Sequence, residues 1–474
     1  MVHHPRVPIY IYLASYLGED MAEKLELMKH QRYALGCMGA MDHLAIYYEA
    51  GTGKTAIALT WLISAMRDGR VGNALIVCPA SLTNNWASSI DGMMRFEGVT
   101  EADVEALKAR TTIVSYRRTL GDREVRVFKR GGRECKSTIY HPKAEFDREW
   151  DAIILDEAHF LGGHSSGQTQ VCLELARKAR YRYILTGTPV SGSAKGGGKD
   201  WQKLYGQMRF LEPDIWPSWT AFCGRYVASL DKWFKPDSYN ERACEELIQA
   251  HGIFARLEDC VDMPGFTDTD IACPLAEKKV YKDVREMCLD AYNIDPQTGG
   301  STFGKLLQVC SGHLRDDDGR ILQLKTSKDE ALEDILLGTD DKVVIFCRYT
   351  PSVDRCAEIA RKIGRKTVIF DGRRTEDTSV KFQKGDATVI VAQYLAGGAG
   401  LDLFASHTMV MYEPTLSSLE LAQSRARIYR KGQTEKCRYL CLTTPGTVED
   451  KVWKSVLNGV DVTAEMLREY SLGS

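Results

Sequence analysis

None of the fourteen cysteines stands in a CxxC pair, which argues against a zinc ribbon and a disulfide scaffold and leaves reduced, mostly buried thiols. No stretch of about 18 uninterrupted apolar residues occurs, so a membrane span is not expected. The apolar residues 7–14 contain Pro8 and are followed by acidic residues rather than a small-residue cleavage site, so they do not read as a signal core. Charge of one sign is also missing. A net charge of -2 excludes a globally polyanion-coated protein and confines any nucleic-acid surface to a local concentration of Lys and Arg. What is present is bulk: 474 residues at 44% hydrophobic content can bury more than one core.

Short, β-branched, continuously apolar runs recur with helical patterns between them. In the first half they fall at residues 43–50, 73–80, 111–116, 151–158 and 182–189, and in the second at 342–349, 366–372, 387–393, 407–413 and 437–444. Runs apolar on both faces belong in parallel sheets covered by helices, so the pattern predicts two consecutive doubly wound α/β domains. Ligands of such sheets sit at the carboxyl ends of the strands. The division is expected near residue 265, at Pro264-Gly265, giving domains 1–265 and 266–474. Residues 200–335 read as mainly helical, with a second turn-rich break at 296–300. The Gly-rich segment 191–199 is not a second phosphate loop, because Lys199 is followed by Asp200 rather than a hydroxyl residue.

Gly51, Thr52, Gly53, Lys54 and Thr55 follow a strand and open an amphipathic helix. In that context the glycines let backbone N–H groups close on phosphate oxygens, Lys54 reaches the β and γ phosphates, and Thr55 ligates magnesium. Tyr48 stands where the general pattern opens with Gly. A structural Gly turn is the competing reading. Asp156 and Glu157 end the strand before Ala158 and His159, where a carboxylate pair would face the loop. Asp156 would hold the metal and Glu157 would orient and deprotonate water. An acidic helix cap is the alternative. His159 reads as a hydrogen-bonded coupling residue, since no second His lies at ligand spacing. Far downstream, Gln423, Arg427 and Arg430 recur at a spacing that predicts one helical face. Such arginines either line a solvated helix or neutralise charge on a γ-phosphoryl group, worth about 10³ to 10⁵ in rate.

The order of these elements resembles the superfamily-two helicases, and among them the Swi/Snf-type double-stranded DNA translocases, over nearly the whole chain. Residues 30–38 resemble the adenine-reading glutamine motif, 75–86 motif Ia, 115–116 the element after it, 185–189 motif III, 306–313 the helix before the second sheet, 396–403 motif V and 423–433 motif VI with its Gly432-Gln433 ending. The resemblance implies two RecA-like domains with ATP and Mg²⁺ in the cleft between them. It implies nucleotide contacts from Gln31, Gly400, Asp402 and Gln423, coupling through His159, Thr186 and Thr188, and nucleic-acid contacts from Ser81, Asn85, Trp86, Ser115, Tyr116, Arg348 and Tyr349. Ala426 stands where the family usually carries Asp before the first arginine of motif VI. With no room for large insertions, a compact bacterial or viral motor is the expected form: cytoplasmic, monomeric and acting on double-stranded DNA. A strand-separating DNA or RNA helicase, and an ATP-gated scaffold that clamps nucleic acid without turnover, remain the alternatives.

Two further segments stand out. Residues 117–136 hold eight Lys or Arg against three acids, with alternation and a Gly131-Gly132 turn that predict a basic hairpin. It is either an added DNA clamp or a charged, solvated edge. Trp201, Trp216, Trp219 and Trp233 lie among apolar neighbours and read as packing under the first domain rather than as base-stacking platforms.

Overall fold

The computed structural model describes residues 24–130, 133–190, 200–232, 235–286, 292, 302–373, 378–394 and 401–462. The expectations on residues 7–14, the segment 191–199, Trp233, the break at 296–300, the turn at 131–132 and Gly400 lie outside them.

The first half builds a six-stranded parallel sheet from β1 (His43–Tyr48), β2 (Ala74–Cys78), β3 (Thr111–Ser115), β6 (Trp150–Asp156), β7 (Ala179–Leu185) and β10 (Gly252–Ala255). Their order is β10-β1-β7-β6-β2-β3. An antiparallel hairpin of β4 (Leu120–Arg130) and β5 (Arg133–Pro142) follows β3, and a small one of β8 (Val227–Leu230) and β9 (Pro236–Tyr239) precedes β10. The second half opens with β11 (Phe266–Ala272) and the short pair β12 (His313–Arg315) and β13 (Ile321–Gln323). It continues with β14 (Val343–Cys347), β15 (Thr367–Phe370), β16 (Val389–Gln393), β17 (Thr408–Met411) and β18 (Cys437–Thr443). The order here is β11-β18-β17-β14-β16-β15, again parallel throughout. The fold is α/β, two parallel-sheet domains in tandem.

The central strands of each sheet are buried on both faces because they are apolar at successive positions. Along β1, Ala45 and Tyr47 enter one core while Leu44, Ile46 and Tyr48 enter the other. Along β14, Val344 and Phe346 divide from Val343, Ile345 and Cys347 in the same way. Full burial of side chains on both faces is what makes these runs legible as parallel strands.

The two edge strands beside β1 and β18 carry no such signal. β10 is only four residues long and begins at Gly252, where a Cβ would lie 2.5 Å from the Tyr47 ring, so its first position allows a close backbone approach. β11 reads Phe-Thr-Asp-Thr-Asp-Ile-Ala and is mostly exposed, held by seven parallel register pairs with β18. Between them Gly265 turns the chain at φ +78°. Among the described residues no helix is long and apolar enough to cross a membrane. Among the same residues the cysteines are free and no cluster of three metal-ligating side chains occurs.

Candidate functional site

The chain leaves β1 at Tyr48 and turns through a loop with Gly51 at φ +87° and Gly53 at φ +86°, a left-handed backbone that favours glycine. Gly53 caps the helix Lys54–Arg67, whose first amides have no intrahelical partner and point out of the sheet's carboxyl edge. The loop is braced from behind. Thr52 Oγ1 donates to Glu49 O at 2.7 Å, and Thr52 O accepts from Gln31 Nε2 at 3.0 Å with His30 Nε2 at 2.8 Å. Gln31 Oε1 accepts from Met28 N, so both ends of this amide are engaged with backbone. The Lys54 ammonium donates to the carbonyls of Tyr48 (2.6 Å) and Glu49 (3.1 Å). Burial lowers its pKa, opposed by the charges of Glu157, Asp156 and Glu49.

Two strands away, β6 delivers Asp156 to the same edge. Its Oδ2 accepts the Trp86 indole N–H at 2.8 Å, and its Oδ1 accepts Glu157 N at 3.0 Å. Burial first, then the neighbouring Glu157 charge, push Asp156 up to about 7. Glu157 sits at φ +50°, the only non-glycine residue with positive φ among the described residues. Such a backbone costs of order 1–3 kcal/mol and persists where the surroundings over-determine it. Its Oε2 lies 3.1 Å from His159 Nδ1 and accepts from Thr186 Oγ1 at 3.4 Å, while Thr188 N donates to Thr186 Oγ1. Burial raises the Glu157 pKa, yet the His159 hydrogen bond and the charges of Lys54 and Arg427 outweigh it and hold this carboxyl below its usual range.

From the second domain, Gln423 sits on the helix Ser418–Arg425 and lines the cleft. The single helical face expected for Gln423, Arg427 and Arg430 is not formed. The helix ends at Arg425, and both arginines follow in turns. Arg427 Nε donates to Gln423 O at 3.0 Å, and turns bonded from Arg427 N to Ser424 O and from Tyr429 N to Arg425 O carry the chain on to Arg430. Burial and the Arg430 charge bring Arg427 down to about 10. Arg430 is ion-paired with Asp402 and donates to Leu401 O at 3.4 Å. The domains touch here: a Cβ on Gly51 would lie 3.3 Å from Arg430 Cβ. Gly432 turns at φ +102°, and Gln433 Nε2 donates to the carbonyls of Ser406, Ile428 and Phe404, fixing the arginine loop on its own domain. The resulting cleft of about 780 Å³ is lined by Gln31, Gly51, Gly53, Lys54, Thr55, Asp156, Glu157, Asp402, Gln423, Arg427 and Arg430.

The residues expected on nucleic acid separate into two groups. Ser81 lies in the helical turn Ala80–Leu82, Asn85 lines the cleft, and Ser115 ends β3, half-buried. Trp86 and Tyr116, by contrast, are each 2% exposed and bound to Asp156, Tyr116 Oη donating to its carbonyl at 2.9 Å. Large amphipathic rings with one polar tip gain more from a core with a hydrogen-bond acceptor than from a wet surface, so their side chains brace Asp156, Trp86 at its carboxylate and Tyr116 at its carbonyl. The amides of Arg348 and Tyr349 both donate to Glu413 Oε1 at 2.9 Å, and the Tyr349 ring packs edge-on to His313. Trp201 and Trp216 are buried, and Trp216 and Trp219 pack with Tyr205 and Phe222, as expected of a packing cluster. His30 behind the loop, Glu49 Oε2 on Leu257 N and Glu413 under Arg348 had no sequence signal, since each acts through contacts distant along the chain.

A phosphate-type loop and a carboxylate pair on one parallel sheet, closed by arginines from a second, define a helicase-type ATPase core. The chain belongs to the SNF2-related family: the SNF2-related domain matches residues 39–287, and the helicase conserved C-terminal domain matches residues 327–432. It is similar to the DNA repair protein rhp54 of Schizosaccharomyces pombe, 24% identical over 90% of this chain and 56% of that protein. It is also similar to the DNA annealing helicase and endonuclease ZRANB3 of Homo sapiens, 22% identical over 88% of this chain and 38% of that protein. The chain thus spans about half the length of these curated relatives. Among solved structures, the Sulfolobus solfataricus SWI2/SNF2 ATPase core in complex with dsDNA is 21% identical, covering 96% of this chain and 95% of that one at a TM-score of 0.40. These curated relatives are eukaryotic, so the expected bacterial or viral form finds no support among them.

Proposed function

We propose that this chain is an ATP-driven translocase on double-stranded DNA, hydrolysing ATP to ADP and phosphate, with its two motor domains dividing near residue 265. The observation that carries the reading is the meeting of Arg427 and Arg430 with the phosphate loop and Glu157 across one cleft. A site completed only by two domains links their spacing to the charge between them. Family membership and relatives named for DNA repair support DNA as the track.

The donor set suits a nucleotide triphosphate with magnesium: a helix N-terminus behind Gly51, Thr52 and Gly53, a lysine ammonium, a threonine hydroxyl and a buried carboxylate. Thr55 and Asp156 would hold Mg²⁺, which neutralises charge across the β and γ phosphates. Lys54 would exchange its loop carbonyls for phosphate oxygens. Glu157, kept ionised by His159, would orient and deprotonate the attacking water, and Arg427 and Arg430 would neutralise charge on the departing phosphoryl group. Gln31, Gly400, Asp402 and Gln423 would contact the nucleotide, with His159, Thr186 and Thr188 linking Glu157 to the track. On the nucleic acid we retain Ser81, Asn85, Ser115, Arg348 and Tyr349. Monomeric action in a bacterial or virus-infected cytoplasm belongs to the same reading.

ATPase activity measured with duplex DNA, single-stranded DNA and RNA, beside triplex-displacement and forked-duplex unwinding assays, tests it. Duplex-stimulated hydrolysis and triplex displacement without fork unwinding are expected. Efficient unwinding of forks or RNA would move the chain to the strand-separating class, and ATP binding without turnover would make it a scaffold.

A further inference from the structure

The basic segment is a two-stranded antiparallel arm, paired from Leu120↔Pro142 to Arg130↔Arg133. It springs from the carboxyl end of β3, the edge strand, so its root lies on the side of the sheet that carries Asp156 and the phosphate loop. β6 is two strand spacings away, about 10 Å, and β1 four, about 19 Å. The eleven residues of β4 extend about 35 Å, roughly one turn of a DNA duplex.

Two observations give this arm a partner. Arg117 and Arg118, in the turn that leads into β4, and Arg123 and Lys136 on the arm are exposed and have no acidic partner within ion-pair distance among the described residues, whereas Arg126 is neutralised by Glu124 at 2.9 Å. Arg123, Val125 and Val127 alternate onto one face, with Val125 and Val127 53% and 55% exposed. Cations beside small apolar side chains suit a chain of phosphates joined by apolar sugars. The arm is also anchored: the Tyr140 ring fills the space above Gly167, Gln170 bonds both Tyr140 N and Thr138 O, and His141 Nδ1 lies 3.2 Å from Glu174 Oε2. All three partners lie on Gly167–Ala176, the helix that follows the Asp156 to Phe160 segment.

We propose that the β4–β5 arm binds the phosphate backbone of double-stranded DNA, holding the duplex against the first domain beyond the contacts shared by its family. The proposal rests on the duplex-translocase reading. Its test is fluorescence anisotropy of labelled duplex and single-stranded DNA across a salt series, on the full chain and on the combined variant Arg117→Gln, Arg118→Gln, Arg123→Gln, Lys136→Gln. Each lost phosphate contact lowers the slope of log affinity against log salt by roughly 0.9, so a decrease of up to about 3.6 is expected on duplex, with the thermal melt and ATP-analogue affinity retained. The charge-keeping variant Arg117→Lys, Arg118→Lys, Arg123→Lys should preserve the slope. Wild-type binding to duplex with an unchanged slope in the Gln variant overturns the arm alone. Failure of the wild-type chain to bind duplex overturns the underlying reading and the arm with it.

Discussion

Asp156 accepts one hydrogen bond from an indole and one from the backbone of its own neighbour, and both come from groups that sequence order separates from the nucleotide loop. Trp86 is therefore a positioning residue. Trp86→Phe keeps the ring and removes the N–H, and partners of metal ligands typically contribute 10–100-fold to metal affinity. The Mg²⁺ concentration needed for half-maximal ATPase should rise by about tenfold or more while the melting temperature falls little. An unchanged Mg²⁺ titration would show that the indole serves packing alone. Lys54→Ala and Glu157→Gln should both abolish turnover but part company in binding. The first loses a phosphate contact and should weaken ATP, whereas the second keeps the site's shape and should trap it. Equilibrium binding of a fluorescent ATP analogue beside a hydrolysis assay checks both, and near-normal hydrolysis in either variant counts against an active motor.

Between elements, the second domain is pinned by a fully buried ion pair. Lys328, first residue of the helix Lys328–Leu337, donates to Glu449 Oε1 at 2.5 Å and to Tyr412 O at 2.8 Å. Glu449 Oε2 accepts from Thr444 N. Burial alone would lower the lysine's pKa, but the charges of Glu449 and Glu413 outweigh it and raise it. Removing one partner strands the other charge in the core, so Lys328→Met should destabilise the second domain by about 3–5 kcal/mol. Lys328→Met with Glu449→Leu should be less destabilised than the sum of the single variants. Urea unfolding of the four proteins measures the cycle; strict additivity would show that the two charges do not depend on each other.

Across the whole molecule, the loop at the carboxyl edge of the first sheet and the arginines in the turn that leads into β18 of the second line one cleft. Arg430→Ala should leave ATP binding nearly intact and reduce DNA-stimulated hydrolysis by orders of magnitude, since its charge matters when the domains close. Persisting hydrolysis with weakened DNA affinity would reassign it as a backbone contact. Stability should also fall in acid. His313 is buried against Tyr349, and burial, aided by the Arg355 charge, brings its pKa from 6.5 to about 4. The folded state keeps this ring neutral where the unfolded chain protonates it. Its contribution is full above about pH 6.5 and is lost as pH falls through 4, at most about 3 kcal/mol. Urea midpoints of wild type and His313→Leu, compared across that window, should converge toward acid; parallel pH profiles would count against the assignment.

Ten strands were legible because each is apolar at successive positions, and the loop at Gly51 to Thr55 and the pair Asp156-Glu157 were legible because their chemistry is local in the chain. The tertiary structure alone decided the edge strands β10 and β11, one only four residues long and the other mostly polar and exposed, which are recognised by their backbone pairing with β1 and β18. It also decided the inward turn of Trp86 and Tyr116, because a hydrogen-bond acceptor buried seventy and forty residues downstream captures them. Periodicity placed the arginines on a helix. The regular helix instead ends at Arg425, and the two arginines follow in irregular turns before β18.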